Sequence, residues 1–430
     1  MKIQLLLTGN ELMSGQTVDS NSAMIAEFLA AKGYSIHRKV TVGDDPAELL
    51  ADMKRLCANG DVLIMNGGLG PTLDDLTSQV LSDLSGMPLV ENPTARLHLE
   101  DWCGRRKSPL NDSNLKQAIL PQGVEIIPNP TGSAVGFTMT YDDCLIICTP
   151  GVPGELRTMM EQTIVDMICL LYPNDQQIDT MRLQTFGLGE STLQEIVNRD
   201  YGEWPKQVEL SFRAGIPQLE IKLIIHHLSH KVIQQRCYQR LHELIGDFII
   251  GEESTTLAES AVKLLQRSQS SITTAESCTG GMIASAITEI AGASNVFEAG
   301  FVTYSNRMKH QLVGVPESTL QIHGAVSEEV VLAMAEGALE RSGADYGIAV
   351  SGIAGPGGGS AEKPVGTVWM AWGCKGNLRT RKMTLTTDRK RFQQIVTAMT
   401  LDLIRRELLN LDPQPAYYQA LKKNQHSYSQ

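Results

Sequence analysis

TTAESCTGG, residues 273–281, is the stretch from which the second half of this chain is best read. A short β-rich run at 271–275 leads into Glu276-Ser277-Cys278-Thr279. Two glycines follow, and then an apolar helical pattern. A strand-to-helix junction of this kind turns fresh backbone N–H groups outward and favours negative charge. Two hydroxyls and a thiol placed there can form a nucleophile with an anion cradle beside it, Thr279, Gly280 and Gly281 supplying the N–H groups. A plainer role is open to the same residues, with Ser277 or Thr279 simply capping the helix. Cys278 competes with Ser277 as nucleophile, because a helix N-terminus can activate a thiol.

Working outward from this stretch, Ile283, Ala286, Ile287 and Ile290 recur on one helical face. A strand through Phe301, Val302 and Thr303 runs into Tyr304-Ser305-Asn306 and a helix start at Arg307-Met308-Lys309-His310. Ser327, followed by Glu328 and Glu329, predicts another capped helix. A strand at 348–350 enters the glycine loop SGIAGPGGG, residues 351–359, which holds Ser351, Gly352 and Gly355. Two further strands follow, and Asp388 caps a last helix. Residues 253–412 therefore read as an α/β domain with helices on a mixed sheet, and residues 413–430 as a mobile tail.

The first half alternates differently. Apolar strands at 3–7, 34–42 and 61–65 are separated by helices led by Asp19 and by Asp45-Pro46, the second in the usual cap-then-proline order. That βαβ spacing predicts a mostly parallel sheet covered by helices on both faces, over residues 1–172. The third strand opens into NGGLGPTLDD, residues 66–75, where an open α/β sheet places its ligands. Gly67, Gly68 and Gly70 allow close approach to a phosphate. Asp74 and Asp75, with Asp44 after an earlier strand, can hold a divalent cation such as Mg, Mn or Co. A glycine turn with one aspartate capping the next helix would also explain much of this segment. After a polar linker at 173–177, residues 178–252 read as a small α+β unit. Its His226, His227 and His230 lack a Cys or acidic partner at ligand spacing and read as a solvated loop.

Composition narrows the function. The 430 residues exceed one ordinary core, so several domains are expected. A net charge of −11 argues against a general nucleic-acid or membrane binder, while leaving room for a small anionic substrate. None of the eight cysteines falls in a CxxC pair, and Met1-Lys2 leads straight into a strand without a secretory layout. A cytoplasmic, reduced protein is the expectation.

The motifs taken together resemble a known family. TGNELMSG (8–15), NGGLGPTLDDLT (66–77) and TPGVPGE (149–155) are similar to the molybdopterin-binding-type domain at the N-terminus of CinA family proteins. TTAESCTGG, GFVTYSN (300–306), GAVSEEV (324–330), SGIAGPGGG and KPVGTV (363–368) resemble the C-terminal CinA domain. The middle unit looks like a KH-type module, but its GLGE loop (187–190) is not basic. The resemblance implies two activities. The C-terminal domain would deamidate nicotinamide mononucleotide to nicotinate mononucleotide and ammonia without a cofactor. Ser277 would be the nucleophile, Lys309 its basic partner and Tyr304 a proton relay or an orienting group for the lysine. The loop from Ser351 would close over the ribose-phosphate. The N-terminal domain would cleave ADP-ribose to AMP and ribose 5-phosphate with a divalent metal at Asp75, Asp74 and Asp44. A homodimer is implied as well. The competing expectation is a non-catalytic pterin- or nucleotide-binding module in a protein of competence or DNA-damage response.

Overall fold

The computed structural model describes residues 1–174 and 178–413. The predicted tail beyond 413 and most of the predicted linker lie outside the described residues. The chain divides into two compact units. One holds Met1–Asp179 with His226–Ser229, and the other holds Thr180–Ile225 and the chain from His230 onward.

In the first unit β1 (Ile3–Thr8) is buried along its whole length. Its side chains alternate between two cores, as the two-residue period of a strand requires. Ile3, Leu5 and Leu7 pack with Met24, Ile25 and Leu29 of α1 (Asn21–Ala30). Leu6 packs on the opposite face with Leu49, Met53 and Leu56 of α2 (Pro46–Cys57) and with Val80, Leu81 and Leu84 of α3 (Thr77–Ser85). The expected two-faced sheet is therefore present. Asp45 caps α2 by accepting from the Ala47 and Glu48 N–H groups, both at 2.9 Å.

The expected mostly parallel sheet is present, with antiparallel pairing at one edge. With β2 (Ile36–Val42), β3 (Val62–Asn66), β4 (Glu125–Ile127), β5 (Gly136–Tyr141) and β6 (Cys144–Thr149), the strand order is β2-β1-β3-β6-β5-β4. The first four strands run parallel, and β5 runs antiparallel between β6 and β4. The cause is the two-residue link Asp142-Asp143, whose φ values of 46° and 64° make the tight hairpin turn that joins antiparallel neighbours.

The second unit contains two sheets. A four-stranded sheet orders β8-β9-β7-β10, from β7 (Asp179–Thr185), β8 (Glu209–Ala214), β9 (Leu219–Ile225) and β10 (Ile249–Glu252). The helices Glu190–Ile196 and Lys231–Ile245 accompany it, as an α+β module should have. The five-stranded sheet orders β12-β11-β13-β14-β15, from β11 (Ile272–Glu276), β12 (Phe297–Val302), β13 (Tyr346–Gly352), β14 (Thr367–Cys374) and β15 (Asn377–Thr384). β11 is parallel to β12 and β13, while β14 runs antiparallel between β13 and β15, so this sheet is mixed as expected. Ile348 and Val350 of β13 face one core and Ala349 the other. Ser327 caps the helix Glu328–Ser342 and Asp388 caps the helix Arg389–Leu408, both as read from the sequence. Among the described residues no helix is long and apolar enough to cross a membrane.

Candidate active site

β11 ends at Glu276, and the chain turns there towards the helix Met282–Thr288. Glu276 is wholly buried. Its carboxylate accepts from the Thr279 hydroxyl (2.6 Å) and from the N–H groups of Gly281 (3.0 Å), Ile283 (3.1 Å) and Ala284 (2.8 Å). A buried anion thus satisfies the orphan donors at the helix N-terminus. This corrects two expectations. Neither Ser277 nor Thr279 accepts a capping bond. The Gly281 N–H is committed to Glu276, and the Gly280 N–H donates to the Ser277 carbonyl (3.2 Å). None of Thr279, Gly280 and Gly281 lines the cavity beside Ser277.

Ser277 is fixed from behind, its N–H donating to the Val350 carbonyl of β13 at 3.1 Å. Opposite it stands Lys309, on the helix Asn306–Val313 that Ser305 caps. Lys309 is 1% exposed. Its Nζ lies 2.9 Å from Ser277 Oγ and 2.9 Å from the Thr303 carbonyl oxygen. Both partners are uncharged, and the neighbouring Cys278 offsets only part of the loss of hydration. Burial lowers the lysine pKa from 10.5 to about 8. A neutral amine can donate to Thr303 O and accept the Ser277 proton on its lone pair. Cys278 is also buried, and burial pushes its thiol up to about 12. The thiol therefore stays protonated near neutrality, and the geometry favours Ser277 as the nucleophile.

These groups open into a cavity of about 200 Å³ that Tyr304, Asn306, Ser351, Gly352 and Arg389 also line. Tyr304 is 60% exposed, and its hydroxyl accepts from Arg389 Nη2 at 2.8 Å. That hydroxyl pairs with the guanidinium, while the side chain shares the cavity with Ser277 and Lys309. Arg389 Nη1 donates to the Gly355 carbonyl at 3.0 Å, so the glycine loop enters the site through its backbone. Ser351 is buried and donates to the Ala325 carbonyl at 2.6 Å. Gly352 lies against β14, where a Cβ would stand 2.8 Å from the Thr367 carbonyl oxygen.

Sequence reasoning missed Arg389, the Glu276 carboxylate and the Thr303 carbonyl. Glu276 stood within the opening stretch. Its signal was an acid between a buried strand and a helix start. Arg389 carries no motif beyond its place after a helix cap.

The second candidate centre lies at the carboxyl ends of β1, β3 and β6. Asn66 is buried and donates to Thr149 Oγ1 (3.1 Å) and the Pro150 carbonyl (2.7 Å). Asn21 donates to Asn66 Oδ1 (2.9 Å) and to the Gly151 carbonyl (2.7 Å). The loops after β3 and β6 are thereby locked together. Gly67 and Gly68 have φ of 109° and 67°, and side chains there would strike the Thr8 carbonyl and the Thr77 hydroxyl. A Cβ on Gly70 would meet the Asp75 carboxylate. Loop packing alone therefore demands these glycines. Lys116, unforeseen from the sequence, donates to the carbonyls of Thr72 and Asp75.

The predicted metal carboxylates are dispersed. Asp44 accepts from the Thr8 hydroxyl (2.8 Å) and the Asn10 N–H (3.0 Å), Asp75 accepts from Thr72, and Asp74 is exposed. Among the described residues no three His, Cys, Asp or Glu side chains gather as a metal cluster. The exposed His226 and His227 form none either. Oxygen donors suit a hard cation in kind. Their number suits only an ion that takes its other ligands from water and substrate phosphates.

Comparison with known proteins bears on both centres. Residues 254–408 match the family described as "CinA C-terminal domain", and residues 4–169 match "Probable molybdopterin binding domain". A CinA-like protein of Colwellia psychrerythraea is 50% identical over 97% of this chain and 97% of its own. The chain belongs to the CinA-like family. Another CinA-like relative, from Shewanella sediminis, is 38% identical over 95% of this chain and 96% of its own length. Among solved structures, the competence/damage inducible protein CihA from Agrobacterium tumefaciens is 44% identical. That match covers 36% of this chain and 93% of its own, with a TM-score of 0.35. The CinA C-terminal match spans Ser277, Lys309 and Arg389, and the molybdopterin-binding match spans the loop from Asn66 to Asp75.

Proposed function

We propose that the C-terminal domain hydrolyses the amide of nicotinamide mononucleotide to nicotinate mononucleotide and ammonia. The observation that carries this reading is the 2.9 Å contact between Ser277 Oγ and a buried Lys309 that has no acidic partner at its Nζ among the described residues. Neutral Lys309 takes the Ser277 proton as Oγ attacks the carboxamide carbon. The proton passes to the leaving nitrogen, ammonia departs, and an ester to Ser277 remains. Water, deprotonated by the same amine, cleaves that ester and frees the carboxylate. Arg389 supplies the positive charge for the substrate phosphate, held in place by Tyr304 and the Gly355 carbonyl.

For the N-terminal domain we propose metal-dependent cleavage of ADP-ribose to AMP and ribose 5-phosphate. In its favour, Asp75 and Asp74 stand at the mouth formed by β1, β3 and β6, and neither is in an ion pair among the described residues. Asp75 and Asp74 would hold a divalent ion, which would supply positive charge against the diphosphate. Asp44 would serve by fixing Thr8. The middle module, KH-like by its sequence, has the acidic Glu190 at its loop and suits a spacer better than a nucleic-acid reader. A cytoplasmic setting and a homodimer are carried over from the family resemblance.

A product assay by chromatography tests both halves. Ammonia should appear from nicotinamide mononucleotide with chelator present, and AMP should appear from ADP-ribose only with added divalent cation. Folded protein that releases no ammonia would overturn the first half. Protein that binds ADP-ribose without cleaving it, with metal supplied, would make the N-terminal domain the binding module of the competing expectation.

A further inference from the structure

The cavity at Ser277 holds one polar side chain to which the chemistry above gives no task. Of the groups that line it, Ser277 is joined to Lys309, the Tyr304 hydroxyl accepts from Arg389, and the Ser351 hydroxyl donates to the Ala325 carbonyl. Asn306 lines the same cavity, and its amide makes no hydrogen bond to a described residue. It is the first residue of the helix Asn306–Val313, three before Lys309. Side chains three apart share a helix face, which puts the amide on the lysine's side of the helix. Ser305 already caps that helix by accepting from the Met308 N–H at 3.3 Å, so the Asn306 side chain is not engaged at the helix end.

A primary carboxamide offers a carbonyl acceptor and two N–H donors, whereas the carboxylate it becomes offers acceptors only. Arg389 and Lys309 are both donors, and Arg389 is a cation. These two groups by themselves would hold an anionic product at least as well as the amide substrate. Discrimination requires an acceptor directed at the amide N–H groups. The Asn306 side chain has one, with a donor beside it in the same plane, and is therefore complementary to a carboxamide across two bonds.

We propose that Asn306 is the specificity-determining residue that reads the carboxamide. Its Oδ1 accepts from the carboxamide NH2, and its Nδ2 donates to the carboxamide oxygen. In the nicotinate product an oxygen stands where the NH2 stood, no proton lies between it and Oδ1, and the contact is repulsive. Asn306 thereby selects amide over acid and favours departure of the product. The proposal rests on the amidase reading and names the group that sets the substrate class of that site.

The test is calorimetric titration of nicotinamide mononucleotide and nicotinate mononucleotide into the full chain carrying Ser277→Ala, which removes the nucleophile. It is run at about pH 9, where Lys309 is mostly neutral. The readout is the Kd of the acid divided by the Kd of the amide. Both ligands carry the same ribose-phosphate, so a change that only loosened the site would weaken both alike. Adding Asn306→Ala should lower the ratio about tenfold, the size of one lost hydrogen bond. Adding Asn306→Asp keeps an acceptor, and the ratio should hold at its value before that change or rise. Asn306 is exposed, and thermal unfolding confirms that each variant is folded. Asn306→Leu, similar in shape and without polar atoms, repeats the measurement if the alanine variant is not. An unchanged ratio in the alanine or leucine variant, or an aspartate variant that falls as far, would overturn the proposal. Ammonia release by the unsubstituted protein together with such a result leaves the amidase reading standing without Asn306. Nicotinamide mononucleotide that is neither bound nor deamidated overturns both.

Discussion

The two candidate centres of this chain are built on opposite plans. At Ser277 the groups already touch: hydroxyl, amine and the Thr303 carbonyl are linked at 2.9 Å and largely buried at the side of a cavity. At the loop from Asn66 to Asp75 the backbone is locked but the carboxylates are exposed or turned to the protein's own hydroxyls and N–H groups. The first site tunes a proton affinity by burial and is complete before substrate arrives. The second has dispersed oxygen donors and, in the reading proposed above, would need phosphate and metal to complete it. Preorganisation of the first kind is recognisable in a structure without ligands, and the second kind is not.

The largest effect that would break this comparison is at Ser277. Ser277→Ala should lower ammonia release by about 10³-fold or more, the scale of losing a nucleophile that acts as a unit with its base. AMP formation from ADP-ribose should be unchanged. Ammonia release at the parental rate would mean that the touching pair is not the reacting pair.

Lys309 sharpens the comparison through pH. With its pKa near 8, the amine is mostly protonated below that value, so the rate should climb as pH rises and level off above about 8. Lys309→Met should cost about 10²–10⁴-fold, the usual range for removing a general base. Stability should move the other way. The unfolded chain holds the lysine proton up to the ordinary value of 10.5, and the folded chain releases it near 8. The folded state is therefore penalised below pH 8 and relieved as pH rises towards 10.5. Lys309→Met should raise the thermal midpoint at pH 7, by a margin that shrinks towards pH 10. A margin independent of pH would show that the amine is not buried as a cation.

How far each plan could be read from the sequence follows from its physics. Buried strands announced themselves through runs such as Ile3–Thr8, and caps through Asp45-Pro46, Ser327 and Asp388, because these signals are local. The hairpin at Asp142-Asp143 was missed because two aspartates in left-handed conformations are a weaker signal than Asn-Gly. Ser277 and Lys309 were found through the family resemblance, since 32 residues separate them and no spacing rule joins them. The neighbouring residues were misjudged for one reason. Whether the N–H groups of Gly280 and Gly281 are free depends on where the Glu276 carboxylate folds back, a fact of packing that no local pattern encodes.

A smaller effect probes the dispersed centre. Asp75→Asn should lower AMP formation about 10²-fold, leaving ammonia release intact, because one of the few protein groups that would hold the proposed ion is lost. Chelation of the parent protein should reproduce that separation of the two reactions. Chelation that removed both would erase the contrast between a metal-free and a metal-completed site.

The smallest expected effect concerns Arg389, where even the preassembled site must adapt to its substrate. Its guanidinium gives Nη2 to Tyr304 and Nη1 to the Gly355 carbonyl, and as a five-donor group it keeps further N–H groups for the cavity it lines. A planar fork held from behind can meet a phosphate with two parallel bonds, which a lysine cannot do. Arg389→Lys keeps the charge and loses the fork. KM for nicotinamide mononucleotide should rise about tenfold, equivalent to about 1.4 kcal/mol, with kcat within about twofold of the parent. The split matters more than its size. Phosphate binding is uniform between ground and transition states, so KM should carry the change. If kcat fell with KM unchanged, Arg389 would be acting on the reacting carboxamide, and the Ser277–Lys309 pair would no longer account for the chemistry by itself.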